Sequence, residues 1–193
     1  MTAVPGPTLE QLLDEVAAAT PSPGGGACCG WAAALAAALI EMAAGVAEAR
    51  GDAAARRADV EGVDPMVRIR SRANELRRQA TELANHDRDS YAPVLVAQRS
   101  GYAAAIELAL ARASDTPFAL TVVASELAVL AQEVLAAGKR SLEGDAVTAL
   151  ELARASCRAA ANLVMLNLKS LPADPRRKEV QALLERAGAT ASA

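Results

Sequence analysis

The sequence predicts an all-α protein: a bundle of about five long helices with shorter helical segments between them, in one domain spanning residues 1–193. Three observations carry that prediction. Apolar residues make up 52% of the 193, enough for a sizeable core within one domain. Aromatic residues are only 2% (Trp31, Tyr91, Tyr102 and Phe118), so the apolar content is Ala, Leu and Val, which suits closely approaching helices and not strands. The apolar residues recur at helical spacing, with no strand-like alternation and no repeat of fixed period.

Thr8-Leu-Glu-Gln11 reads as a capping box opening a first helix, whose apolar stripe is Leu9, Leu12, Leu13 and Val16 and which stops before Thr20 and Pro21. Thr20-Pro-Ser-Pro-Gly-Gly-Gly-Ala-Cys-Cys-Gly30 follows, and three glycines after two prolines do not suit a helix interior. The Ala-rich run from Trp31 to Ile40 is a strong helix former, so a second helix is expected from about Ala27 to Arg50, apolar on nearly every side and central in the bundle. Residues 51–65, charged and interrupted by glycines, are expected as a surface connection. A third helix is expected from Pro65 to near Gln98, kinked at Pro93. Gly101 separates it from a short segment, Tyr102 to Arg112. Asp115 is expected to cap a fourth helix with Pro117 in its first turn, running through Leu120, Val123, Leu127, Leu130 and Val134 to near Gly138. The fifth spans about Glu143 to Ser170, and Pro172 and Pro175 bracket a turn into a last amphipathic helix through Val180, Leu183 and Leu184.

Composition removes several function classes. Net charge is −3 and the basic residues are not interleaved with aromatics, so no nucleic-acid partner is expected. Cys28, Cys29 and Cys157 have no zinc-ligand spacing and form no disulfide framework, which fits a reducing compartment and predicts no metal. The N-terminus lacks the basic-then-apolar pattern of a secretory signal, and a cytoplasmic location is expected. Ala27 to Ala47 is long enough to span a bilayer, but Glu41 falls within it and Ala is nearly neutral for insertion; a buried helix and no membrane partner are expected.

Three positions carry chemistry. The glycine loop feeding a helix N-terminus leaves free amides that, with the helix dipole, favour an anion; the same glycines would also serve a tight packing turn. On the third helix Asp87 falls in phase with Leu76, Ala80, Leu83 and Ala84, and so points inward, whereas Glu75, Gln79, Glu82, His86 and Asp89 share the polar face. A buried carboxylate either pairs with an arginine from another helix or has a raised pKa useful for acid–base work. On the fifth helix Asn167 lies in phase with Cys157, Ala160 and Val164, and its amide needs backbone partners or a polar ligand. Asp145 in that helix's first turn complements the dipole, and Lys139 and Arg140 either bind the last carbonyls of the fourth helix or face an anion.

These residues resemble the cyclodeaminase/cyclohydrolase family, found as the C-terminal domain of formiminotransferase-cyclodeaminase and as stand-alone methenyltetrahydrofolate cyclohydrolases. Pro21-Ser-Pro-Gly-Gly-Gly-Ala27 is similar to its Pro-x-Pro-Gly-Gly-Gly-Ser motif. Leu83 to Tyr91 is similar to its Leu-Val-Asp-x-Asp-x-x-Ala-Phe segment, Gly138 to Asp145 to Gly-Asn-x-x-x-x-Ser-Asp, and Leu166-Asn167-Leu168 to Ile-Asn-Leu. The chain has Ala27 and Gly144 where the family has serines, Asn85 for its first aspartate, and Ser100-Gly-Tyr102 in place of a Leu-Pro-Lys. The resemblance implies a helical homodimer acting on one-carbon units of tetrahydrofolate, as cyclohydrolase or cyclodeaminase, with no metal and no bound cofactor. It implies Asp87 as the catalytic acid/base, and Gly24, Gly25, Gly26, Tyr91, Lys139, Asp145 and Asn167 in substrate binding. A second reading keeps the fold and gives the pocket to a non-folate small ligand, in an enzyme or a binding protein; the altered serines and the missing Leu-Pro-Lys point that way.

Overall fold

The computed structural model describes residues 7–20, 22–49, 64–90, 92–137 and 140–188. Among them are eight α-helices, one short 3-10 turn and no strand: α1 (Leu9–Ala17), α2 (Gly25–Ala49), α3 (Pro65–Ser90), α4 (Ala92–Ser100), α5 (Ala103–Ala113), α6 (Asp115–Ala136), the 3-10 turn Arg140–Leu142, α7 (Glu143–Asn167) and α8 (Arg176–Arg186). The all-α bundle is as the periodicity predicts.

Four long helices make the frame. α2 packs against α3, α6 and α7, and α6 packs against α3 and α7. Cross-contacts fix their directions. Gly30 of α2 lies against Ala84 late in α3, and Gly45 lies near Arg70 early in it. Arg72 of α3 pairs with Glu126 of α6, and the Cys157 thiol of α7 reaches the Thr121 carbonyl of α6. The order is therefore up, down, up, down. The core between them is small-residue packing. Ala33, Ala36, Ala37, Ala43 and Ala44 of α2 are fully buried, with Ile40, Ile69, Leu76, Leu127 and Val164 filling the remaining volume. At Gly30 the backbones come so close that a Cβ would stand 2.7 Å from the Ala84 Cβ and 2.8 Å from the Ala80 carbonyl oxygen.

Several expectations change in detail. α2 begins at Gly25, so two of the three glycines form its first turn. The stretch expected as a third helix from Pro65 to near Gln98 is helical as α3 (Pro65–Ser90) and α4 (Ala92–Ser100), and Tyr91 between them lies outside the described residues. Asp115 does not cap α6. Ser114 holds the cap position without a side-chain cap bond, its hydroxyl donating back to Leu110, while Asp115 pairs with Arg176 at 2.6 Å. α1 has its capping box, but its apolar stripe is largely uncovered among the described residues, with Leu9 69% and Leu13 60% exposed. Of the expected surface connection at 51–65, residues 51–63 lie outside the described residues and Pro65 opens α3; the end near Gly138 also lies outside them.

By length and composition α2 and the run Ala103–Ala136 could each cross a membrane, but half of the α2 window is buried inside the protein. Glu41, in the middle of α2, accepts from Arg77 at 2.5 Å and from Asn74 at 3.0 Å.

Candidate active site

A cleft of about 380 Å³ opens at the end of the bundle where α2 and α6 begin and α3 and α7 finish. Its volume is that of a small-molecule site. Ser22, Gly24, Gly25 and Gly26 line one side, and Asp87 of α3 stands beside them. Ala113 of α5 and Pro117 of α6 meet them across the cleft, and Leu163, Leu166 and Asn167 supply the α7 wall. The sequence-predicted Gly24, Gly25, Gly26, Asp87 and Asn167 are thus brought together from three parts of the chain.

Asp87 is seated directly on the glycine turn. A Cβ at Gly26 would lie 2.2 Å from its Oδ1 and 2.4 Å from Cγ and Oδ2, so only glycine leaves room for the carboxylate. The Ala27 N–H donates to it. The helix N-terminus that the sequence offers as an anion cradle therefore holds the protein's own anion. Burial pushes the Asp87 carboxyl above its ordinary value of 3.8; the Ala27 N–H and the charge of His86 pull it back without cancelling the rise. That is the environment of a carboxyl tuned for proton transfer.

The loop before α2 is tied to the end of α3. The Ser22 hydroxyl donates to the Arg88 carbonyl at 2.7 Å, the Thr20 hydroxyl donates to the Ser22 carbonyl at 3.0 Å, and Arg88 pairs with Glu15 of α1 at 2.7 Å. Asn167 is half-buried and donates to the Ala113 carbonyl at 3.4 Å, while its side chain also lines the cleft. His86 is exposed, as its phase predicts, with Nδ1 3.2 Å from the Thr116 hydroxyl. Burial, with the Asp87 charge adding to it, raises the Cys28 thiol, and burial with the neighbouring Cys28 raises Cys29 to about 12. Neither thiol is poised as a nucleophile. Among the described residues no three His, Cys, Asp or Glu side chains converge as a metal-ligand set.

Asp145 is elsewhere. It lies in the first turn of α7, about 33 Å along the helix from Asn167 at 1.5 Å per residue. Within one chain it does not reach this cleft. Tyr91 and Lys139 lie outside the described residues. Sequence reasoning missed Ser22, Ala113, Pro117, Leu163 and Leu166 as lining residues. Leu163 was within reach, because it stands four residues before Asn167 on the same helical face. Nothing local in the sequence places Ala113 or Pro117 opposite the glycines.

Comparison with known proteins shows the family and the fold. A family model described as formiminotransferase-cyclodeaminase matches residues 8–186. A methenyltetrahydrofolate cyclohydrolase of Methylorubrum extorquens is 31% identical over 195 aligned positions, covering 94% of this chain and 91% of the relative. The crystal structure of formiminotetrahydrofolate cyclodeaminase from Thermotoga maritima matches with a TM-score of 0.78 at 29% identity, over 95% of this chain and 89% of that one.

Proposed function

The chain belongs to the formiminotransferase-cyclodeaminase family, and from that premise we propose that it is a methenyltetrahydrofolate cyclohydrolase with Asp87 as its general base and acid. The observation that carries the reading is the Asp87 carboxyl, raised by burial and seated over Gly26 at the mouth of the cleft. The methenyl carbon lies between N5 and N10 and shares their positive charge, so it is open to addition of water. Asp87 takes a proton from the attacking water as the C–O bond forms. It returns a proton to N5 as the C–N5 bond breaks, leaving the formyl group on N10 and releasing one proton overall. A carboxyl whose pKa stands above the ordinary range suits both halves of that shuttle. Asn167 orients the substrate through its amide, and the Leu163 and Leu166 wall keeps water ordered and scarce around the reacting carbon. The reading uses no metal and no bound cofactor.

Formiminotetrahydrofolate cyclodeamination is the second reading, favoured by the Thermotoga maritima likeness. There N10 attacks the formimino carbon, the ring closes, and ammonia leaves after taking a proton. The tetrahedral carbon between nitrogens and the single proton shuttle are the same.

The reading also assembles the protein as a homodimer, in which Asp145 and Lys139 bind substrate held in the partner's cleft. The separation of Asp145 from Asn167 along α7 supports that arrangement. Three free thiols support a cytoplasmic location. The deciding experiment follows methenyltetrahydrofolate absorbance in both directions, its loss by hydrolysis and its formation from formiminotetrahydrofolate. Loss catalysed by the wild type and abolished in Asp87→Asn supports the cyclohydrolase, and formation alone moves the assignment to the second reading. No change in either direction refutes both and leaves the pocket to a non-folate ligand.

A further inference from the structure

Asp87 stands three residues before Ser90, the last described residue of α3, and a proton-transfer group must be held still. Its seat is tight: its carboxylate covers the Gly26 Cα and takes the Ala27 N–H. The carbonyl of the next residue, Arg88, receives the Ser22 hydroxyl at 2.7 Å. Ser22 precedes Pro23, which is buried, and its own carbonyl accepts from Thr20 at 3.0 Å, so its position is fixed from both sides. The Arg88 side chain is held separately by Glu15 at 2.7 Å.

We propose that Ser22 is a positioning residue for Asp87, its hydroxyl pinning the last turn of α3 through the Arg88 carbonyl so that the carboxylate stays seated over Gly26. The proposal rests on Asp87 performing the proton transfer. It assigns Ser22 to that task although Ser22 also borders the cleft, because its hydrogen is committed to Arg88. Removal of the hydroxyl leaves the cleft's shape intact, releases the turn, and lets water reach the carboxylate.

The test compares Ser22→Ala and Ser22→Thr with the wild type in methenyltetrahydrofolate turnover across pH, with amide hydrogen exchange of the α3 end measured alongside. In Ser22→Ala, kcat should fall about tenfold to a hundredfold, the cost of misplacing a catalytic group by up to about 1 Å, while KM changes by less than about twofold. The acid-side inflection of kcat/KM should move down toward the ordinary carboxyl range, and exchange in the last turn of α3 should speed up. Ser22→Thr keeps the hydroxyl and should keep most of kcat. Wild-type kcat and inflection in Ser22→Ala overturn the proposal, as does a loss confined to KM, which would make Ser22 a substrate contact. Equal impairment of Ser22→Thr with unchanged exchange in Ser22→Ala overturns it as well. If Ser22→Ala does not fold, the Thr variant decides through the same readouts. Full turnover in Asp87→Asn would instead refute the proton-transfer reading and remove this proposal with it. An inactive Asp87→Asn beside a fully active Ser22→Ala would refute the positioning role alone.

Discussion

Gly26→Ala is the substitution that most directly addresses how Asp87 is held. The new Cβ would enter at 2.2 Å from Oδ1 and 2.4 Å from Cγ and Oδ2, whereas ordinary van der Waals contact begins at 3.4 Å. The carboxylate must therefore retreat by about 1 Å, since the repulsion leaves no softer neighbour to yield. That retreat takes it from the Ala27 N–H. A displacement of that size should lower kcat about a hundredfold. Overpacking costs about 1–3 kcal/mol and the helix propensity of alanine returns less than about 1 kcal/mol in a first turn, so Tm should fall by a few degrees. Gly45→Ala in the same helix is the control: its Cβ meets nothing closer than the Arg70 Nε at 3.4 Å. It should raise stability by about 0.5–1 kcal/mol and leave turnover alone. Steady-state kinetics and thermal melts of both variants make the comparison. A Gly26→Ala enzyme with wild-type kcat would refute the claim that the chemistry depends on where Asp87 sits.

Asp87→Asn should stabilise the fold while removing activity. Because burial raises its pKa above 3.8, folding favours the protonated form. The wild type therefore loses stability as pH rises from that ordinary value through the folded pKa, and carries the full cost above it. The Tm advantage of Asp87→Asn should grow over that window and level off above the folded pKa; a variant that gains no stability over wild type as pH rises would contradict it. Arg72→Ala tests the α3–α6 contact: Arg72 grips both Glu126 oxygens, at 2.6 and 2.9 Å, and holds that carboxyl below 4.5. With the pair partly exposed, the expected loss is about 1 kcal/mol at pH 7, shrinking as pH falls below the ordinary glutamate range, and a double-mutant cycle with Glu126→Gln checks it. If substrate is shared across a dimer, mixing inactive Asp87→Asn with inactive Asp145→Asn should restore up to about a quarter of wild-type turnover per chain, through mixed dimers with one intact site. No recovery after subunit exchange, verified by sizing, would remove Asp145 from the site.

The frame of this fold was legible because it rests on periodicity. Ala33, Ala36, Ala37, Ile40, Ala43 and Ala44 declare a buried helix, and Leu76, Ala80 and Ala84 declare the α3 face that carries Asp87 inward. Asn167 was legible for the same reason. What failed to show was whatever depends on a partner far away in sequence. Asp115 has every local mark of a cap, yet Arg176 draws it away, and no window around residue 115 contains that arginine. α1 illustrates the opposite limit, since its stripe is plain in sequence and none of its residues is fully buried among the described residues.

The glycine run looked like a cradle for a guest's anion, and the structure reassigns that preference. The N-termini of α2 and α6 open on the cleft, the C-termini of α5 and α7 border it, and α3 brings Asp87 to it. The α2 terminus already has the Asp87 carboxylate at one of its first-turn amides, that of Ala27. Its positive end is thus partly spent inside the protein, and the same amide restrains the rise of the carboxyl's pKa that burial imposes. The outcome is a carboxyl pulled in two directions with a net rise above its ordinary value, which suits a group that takes a proton from water and returns it to nitrogen in one turnover. Gly26 is the condition for that balance. With any side chain there, Asp87 would lie farther from Ala27, more hydrated and nearer its ordinary value, and the cleft would keep its walls while losing its base.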